Sequence, residues 1–311
     1  MFEPAIAALP RDATRSVQLS TNSYIILSVI SAGLDAAGRV MELTSPLALA
    51  GIPIFFVSTY YSDFILVPEK EREKVVKALI DKGFELAENQ SSYVNPSAYG
   101  HSSHTRTSSR TTTPPRTPPP SNVAELQARA FDLLRKRNVT PRVLPDLELV
   151  QCSGKEISPV TDEVYSDLRR SVSRQGANGS AATWVDSIDA KLYTCIVSAL
   201  VSQPRFMSVT LAQDDPPSLL LDKTLLSLFG GSLIGDTEGR QIPIFLDLAS
   251  LPTEVTGIVC GVAGRLMQEM QMTASSELSY LSTARAGAVI LPDEQSARAL
   301  DILKPLLSKD E

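Results

Sequence analysis

The chain has 311 residues, 43% of them apolar, with 29 basic and 35 acidic side chains and a net charge of -6. That is enough apolar material for cores in roughly two domains, or in several modules of about 70 residues. The acidic balance, with a pI of 5.2, argues against a nucleic-acid binder, which needs a basic face. No apolar run approaches the roughly 20 residues of a membrane span.

The start, "MFEPAIAALPRDATRS", lacks the basic opening and long apolar stretch of a secretory leader. A cytoplasmic protein is therefore expected, with residues 1–17 as an N-terminal segment ahead of the folded units. The first folded segment runs over 18–90. "SYIILSVI" (23–30) reads as a buried strand. In "DAAGRVMELTSPLALAG" (35–51), Val40, Leu43, Leu47 and Ala50 recur at helical spacing. Pro46 should interrupt that helix or start a new turn. "IPIFFVSTY" (52–60) and "DFILVP" (63–68) read as a hairpin. "EKEREKVVKALIDKG" (69–83) is a charged helix whose buried stripe is Val75, Val76, Leu79 and Ile80. "FELAE" (84–88) would close the unit as a short strand. Strand, helix, strand, strand, helix, strand is the ferredoxin-like βαββαβ order.

Residues 91–122 are rich in Ser, Thr, Pro and Arg, and read as a disordered tether. Ser109, Thr113 and Thr117 offer phosphate acceptors within it. A second unit is expected over 123–239, interrupted by a low-complexity insertion at 156–190 that carries Trp184. Its readable parts are "PRVLPDLELVQCS" (141–153), a helix at 191–203, "RFMSVTLAQDD" (205–215) and "PSLLLDKTLLSLF" (217–229). A third unit fills 240–311: a strand at 240–251, a helix at 253–270 capped by Thr253, a hairpin from 277–284 and 288–294, and a final helix at 296–307.

The first and last units repeat a frame. "STYYSDFILVPE" (58–69) and "STARAGAVILPD" (282–293) share Ser-Thr, an apolar triplet, Pro and an acid. The hairpins align with Ser58 on Ser282, and the helices with Ser45-Pro46-Leu47 on Gly264-Arg265-Leu266. Recurrence in one order points to duplicated modules packed against one another. The expected fold class is thus α+β: tandem ferredoxin-like units side by side, with two disordered insertions.

Catalytic and metal chemistry find few candidates. The two histidines, His101 and His104, both lie in the Pro-rich tether, leaving no imidazole for a triad or a metal. There is no Walker loop and no GxGxxG after a strand. Three dispersed cysteines, Cys152, Cys195 and Cys260, suit reduced thiols rather than a disulfide frame or zinc site. Cys260 sits on an apolar helix face and reads as a core residue. Asp63 reads either as a site acid or as a turn residue bonded toward a helix. No enzyme, cofactor or metal is expected.

With the repeat in view, the chain resembles the CASTOR family of cytosolic arginine sensors, which are built from ACT domains. The residues that carry the resemblance are 43–69, more weakly 256–267 with 280–294, and loosely 195–215 with 218–229. Family members have four such units. Three are found here, the first being missing or reduced to residues 1–20. The resemblance implies a ligand held between the first and last units of this chain. One wall would be Glu42 and Leu43. The other would be Val255, Gly257 and Ile258 at a helix start, with Glu254 beside them, plus Thr283, Ala284 and Gly287 on the hairpin. Helix-start amides favour a carboxylate, and an acid can accept an ammonium or guanidinium. The family's guanidinium-gripping aspartate falls on Gly287, a second acid on Val255 and a covering aromatic on Ala284.

The resemblance thus implies a non-enzymatic regulatory protein that binds an amino acid, arginine in the family, upstream of the TOR kinase. Its expected partners are that ligand, a regulatory protein and, in a homodimer, a second copy. Nucleic acid and a membrane span are not expected. The alternative is a scaffold that kept the fold, lost the ligand and is regulated through its phosphorylatable linkers.

Overall fold

The computed structural model describes residues 22–29, 36–85, 120–155, 189–212, 215–252, 254–273 and 276–308. Residues 1–17, both histidines, Ser109, Thr113, Thr117, Trp184, and most of the 91–122 and 156–190 segments lie outside these residues.

The first unit contains β1 (Tyr24–Val29), α1 (Ala36–Leu49), β2 (Phe55–Ser58), β3 (Asp63–Pro68) and α2 (Arg72–Ile80). The helix α1 runs unbroken through Pro46, against the interruption expected from sequence. Proline in a helix costs about 3 kcal/mol, but Leu43 and Leu47, on either side, are fully buried and each contributes about 1.5–3 kcal/mol. The Thr44 hydroxyl donates to the Val40 carbonyl at 2.6 Å, adding one tie just ahead of the proline. The second helix is shorter than expected, because Glu69–Glu71 form a tighter 3-10 turn ahead of it. Val75 and Leu79 are buried and Val76 half-buried, but Ile80, expected in the same stripe, is 54% exposed. Of the expected closing strand, Phe84 and Glu85 form no strand, and 86–88 lie outside the described residues.

Next come α3 (Val123–Lys136) and β4 (Pro141–Arg142). The helix α3 is not among the elements expected from sequence, yet its start is well signalled. Asn122 accepts from the Glu125 amide at 2.9 Å and Glu125 reaches back to the Ser121 amide at 2.8 Å, a capping box. The central unit then follows the full ferredoxin-like order: β5 (Leu149–Gly154), α4 (Ala190–Val201), β6 (Met207–Thr210), β7 (Ser218–Asp222), α5 (Leu226–Phe229) and β8 (Leu233–Ile234). The last unit is β9 (Gln241–Asp247), α6 (Ile258–Met270), β10 (Ser279–Ser282), β11 (Ala286–Pro292) and α7 (Asp293–Leu307). Here α6 begins five residues later than expected, at a Gly257 N-cap; Thr253 lies outside the described residues. The strand β4 pairs with β9, and α3 packs on α6 and α7. Residues 123–142 therefore complete the last unit, not the central one whose segment contains them.

All the strands join one antiparallel sheet in the order β1-β3-β2-β10-β11-β9-β5-β7-β6, with β8 on β5. The first and last units meet edge to edge where Val57 of β2 opposes Leu281 of β10. Leu281 lies 224 residues after Val57, the spacing that superimposes the two hairpins. On the helix layer the Met41 and Cys260 sulfurs meet at 3.9 Å, 219 residues apart, the spacing that superimposes α1 on α6. Equivalent residues that touch each other mark a two-fold axis. The two units are thus related by a local dyad running through Val57/Leu281 and Met41/Cys260. Their helices share one core, with Leu47, Phe56, Leu266, Tyr280 and Val289 in it.

The sheet then curls back on itself. Ala288, Ile290 and Leu281, on the face away from the helices, pack against Leu147, Leu149 and Leu220 near the central unit. Hydrogen bonds tie the turn of the first hairpin to the central unit as well: Ser218 accepts from the Tyr60 amide at 2.8 Å, and Ser62 donates to Asp215 at 2.7 Å.

Candidate functional site

The dyad makes two related seams, one at each helix start, and the hairpins show how they differ. In both hairpins a serine opposes a residue in the first two positions of the return strand: Ser58 faces Asp63, which opens β3, and Ser282 faces Gly287, the second residue of β11. The turns match as well. The Thr59 amide donates to the Ser62 carbonyl at 2.9 Å, and the Thr283 amide to the Ala286 carbonyl at 2.8 Å.

In the first hairpin Asp63 is 4% exposed and receives Arg39 of α1 at 2.9 Å. Burial raises the Asp63 pKa above the usual carboxylate value, while Arg39 and Ser58 oppose the rise. Phe56 lies beside it, fully buried. In the last hairpin Gly287 replaces the acid and Tyr280 occupies the position of Phe56. A Cβ at 287 would run into the Tyr280 hydroxyl. The tyrosine oxygen fills the room that a carboxylate takes in the first copy. Tyr280 is 1% exposed. Its hydroxyl has no hydrogen-bond partner among the described residues. Burial pushes its pKa far up, so the phenol is neutral.

Beside this tyrosine, two adjoining recesses open between the first and last units. The larger, of about 70 Å³, lies among Tyr24, Phe55, Leu248, Val255, Tyr280 and Ala284, with Ser282 and Thr283 at the hairpin. The smaller, of about 30 Å³, reaches inward to Thr44 and Ala48 of α1 and to Gly257 and Cys260. Both are walled by Ile54, Val255, Ile258 and Val259. Among the described residues, no Asp, Glu, Lys or Arg lines either recess.

The start of α6 forms one wall. Gly257 takes φ +81°, and no side chain caps the helix. A Cβ at 257 would meet Leu126 of α3 at 2.5 Å. Glycine is therefore required here twice, for its left-handed backbone and for close packing. The helix α3 thereby fixes where the α6 amides point. Helix-start amides carry partial positive charge and suit a carboxylate.

Of the residues named from sequence, Val255, Gly257, Ile258, Thr283 and Ala284 come together at these recesses. Glu42 is exposed on α1 and lines neither recess; Leu43 is in the core. Thr44 stands at the recess in their place because the helix turns Leu43 inward. Glu254 is exposed beside the recess without lining it, and Gly287 lies beneath Tyr280. Tyr280, Leu248 and Phe55 were invisible to motif matching. The signal for Tyr280 was its alignment on Phe56 in the other copy.

Residues 19–81 match the ACT domain family. This segment is the first unit, whose edge strand β2 forms one side of the seam. ACT domains are commonly regulatory modules that bind small amino acids. The chain is also similar in structure to a Vibrio cholerae protein of unknown function described as a possible transport protein. That similarity has 13% identity and a TM-score of 0.34, covering 58% of this chain and 99% of the other. It is similar too to an aspartate kinase from Synechocystis, with 11% identity and a TM-score of 0.32, over 93% of this chain and 41% of the kinase. No helix among the described residues is long and apolar enough to cross a membrane. No cluster of metal-ligating side chains occurs among them.

Proposed function

We propose that the chain is a non-enzymatic, cytosolic regulatory protein that binds a small amino acid between its first and last ACT-like units. The observation that carries this reading is the pair of recesses at the seam, with an uncapped helix start on one side and the Ser282–Thr283 hairpin on the other. A carboxylate would rest on the α6 start, with the ligand bridging two units that otherwise touch along one strand edge and one helix crossing. A ligand that binds the closed seam more tightly than the open one shifts the population toward it and alters what a regulatory protein can contact. The resemblance to the CASTOR family supports nutrient signalling toward the TOR kinase as the setting.

The test is a thermal-shift panel of the twenty amino acids on the full chain. A ligand at 100 times its dissociation constant adds about 2.7 kcal/mol of stability, which moves the melting temperature by several degrees. A flat panel refutes amino-acid binding. It leaves the scaffold reading, which the small size of the recesses favours.

A further inference from the structure

The seam that joins the first and last units is built from one strand edge and one helix of each: β2 with β10, and α1 with α6. The central unit has the same two elements. Its strand β6 and helix α4 end at Thr210 and Val201, each 152 residues after the ends of β2 and α1 at Ser58 and Leu49. That single offset sets Leu192 on Val40 and Ala199 on Leu47, all four of them buried in a core. It also sets Val209 on Val57, Tyr193 on Met41 and Leu200 on Ala48. In the first unit these positions meet the last unit: Val57 opposes Leu281, Met41 touches Cys260, and Ala48 is 2% exposed.

In the central unit the same face is open among the described residues. Leu200 is 55% exposed, Val197 58% and Val201 76%. With Tyr193 they form one stripe of α4 at helical spacing, beside the face that holds Leu192 and Ala199. A helix that is apolar on two faces has two faces to bury. The strand β6 pairs with β7 and ends the sheet, so its outer edge has no partner among the described residues. Edges that stay single are commonly blunted by proline, lysine or a bulge. Met207-Ser208-Val209-Thr210 carries neither a charge nor a proline, and Leu211, next in the chain, is 61% exposed. The α4 stripe is uncharged too, so two copies of this face can meet about a two-fold axis with no like charges opposed.

We propose that the central unit is a homodimerisation face. The strand β6 pairs antiparallel with β6 of a second copy, and α4 packs on α4, repeating between chains the seam that the first and last units make within one. In that internal seam equivalent residues meet each other, so the surface is complementary to its own duplicate. The duplicate open to the central unit is that of another copy of this chain. The same dyad sets Val209 opposite Val209 of the second copy. Val197 and Leu200 stand where the crossing of α1 and α6 has Ser45 and Ala48, so the two α4 helices lie further apart.

Sedimentation equilibrium of the full chain tests this. The wild type should be a dimer at micromolar concentration. Val197→Glu with Leu200→Glu changes two side chains already open to solvent in the single chain, so the circular dichroism spectrum should not change. The seam would then have to desolvate unpaired carboxylates, raising the dissociation constant of the dimer roughly 100-fold or more. Val209→Cys gives an independent reading. Directly opposed residues of an antiparallel pair bring their Cα atoms within about 4.5–5.5 Å, inside disulfide range, so mild oxidation should link position 209 to itself across two copies, as found by peptide mapping. A monomeric wild type overturns the proposal and leaves this face to a segment of the chain outside the described residues. A dimer whose affinity is unchanged by the two glutamates overturns the choice of face. A dimer that the glutamates weaken, but in which position 209 does not link to itself, overturns the strand pairing and keeps the helix contact.

Discussion

Asp63 and Gly287 sit at the same place in two copies of one hairpin, paired to serines at the same register. Their surroundings have been exchanged as a set. The first copy combines Phe56, Asp63 and Arg39; the last combines Tyr280, Gly287 and Ile258. In each, one residue from a strand, one from the return strand and one from the adjoining helix stand at corresponding positions. The first set is self-satisfied, its acid paired within the chain. The last leaves a hydroxyl without a partner among the described residues and a recess beside it. One seam is thus filled by an ion pair within the first unit, and the other is left open as a recess.

Breaking the closed seam should have the largest effect. Arg39→Met leaves Asp63, 4% exposed, as a buried charge without its main partner, which costs about 3–5 kcal/mol. Arg39→Met combined with Asp63→Leu removes both charges and should recover most of that loss, since an apolar replacement of a buried pair is often neutral. Urea midpoints at a constant denaturant slope measure both. Equal midpoints for Arg39→Met and the wild type would show that the ion pair does not hold the first seam.

Converting the open seam toward the closed one should have a smaller effect. Gly287→Asp drives a side chain into the Tyr280 hydroxyl, and overpacking of this kind costs about 1–3 kcal/mol. Adding Tyr280→Phe recreates the Phe-Asp arrangement of the first hairpin and should return part of the loss. The new acid has no internal guanidinium, because Ile258 stands where Arg39 does in the first copy. Arginine should therefore stabilise the double variant in a thermal-shift assay while leaving the wild type unmoved. A double variant indifferent to arginine would mean that position 287 does not face the ligand.

How far this contrast could be read from the sequence depended on repetition. The hairpin register, the loss of the acid at Gly287 and the helix-to-helix alignment were all legible, because each hairpin keeps period-2 alternation and each helix keeps its apolar stripe. The exchange of partners was not. Phe56 and Tyr280 differ by one oxygen, and only the packing shows that this oxygen fills the missing carboxylate's room. Glu42 and Leu43 lie off the recesses for a different reason. A one-residue shift around a helix turns a side chain by about 100°, which moved the lining position to Thr44. The helix α3 carried a clear capping box at Ser121, Asn122 and Glu125, so local signals were present. Its packing against the last unit, across more than a hundred residues of sequence, had no local signal.

The pH dependence of the closed seam is a finer probe. Burial raises Asp63's pKa in the folded protein above its ordinary value of 3.8. The folded chain therefore binds this proton more tightly than the unfolded chain. The group's contribution to stability is greatest below the unfolded value and declines as pH rises through the folded one. Asp63→Asn removes that slope. The stability of this variant relative to wild type should rise between pH 4 and pH 6, measured as paired urea midpoints. A relative stability that falls over this range would mean that Arg39 outweighs burial.

The smallest effect concerns the thiols, which report on opening rather than on energy. Cys260 touches Met41 across the dyad, and burial pushes its pKa up to about 11; Cys152, inside the central unit, is pushed up to about 12. A thiolate is the reactive species, so neither should react with iodoacetamide at neutral pH while the fold is closed. Intact-mass analysis should find at most one adduct on the native chain, at the half-buried Cys195, and three after denaturation. Cys260 reacts only when the first and last units separate, whereas Cys152 needs the central core to open. Faster labelling of Cys260 than of Cys152 would identify the dyad seam as the weaker of the two. An amino acid that bridges this seam should then slow Cys260 and leave Cys152 unchanged. Equal slowing of both would show that the ligand stabilises the whole chain rather than clamping the two units together.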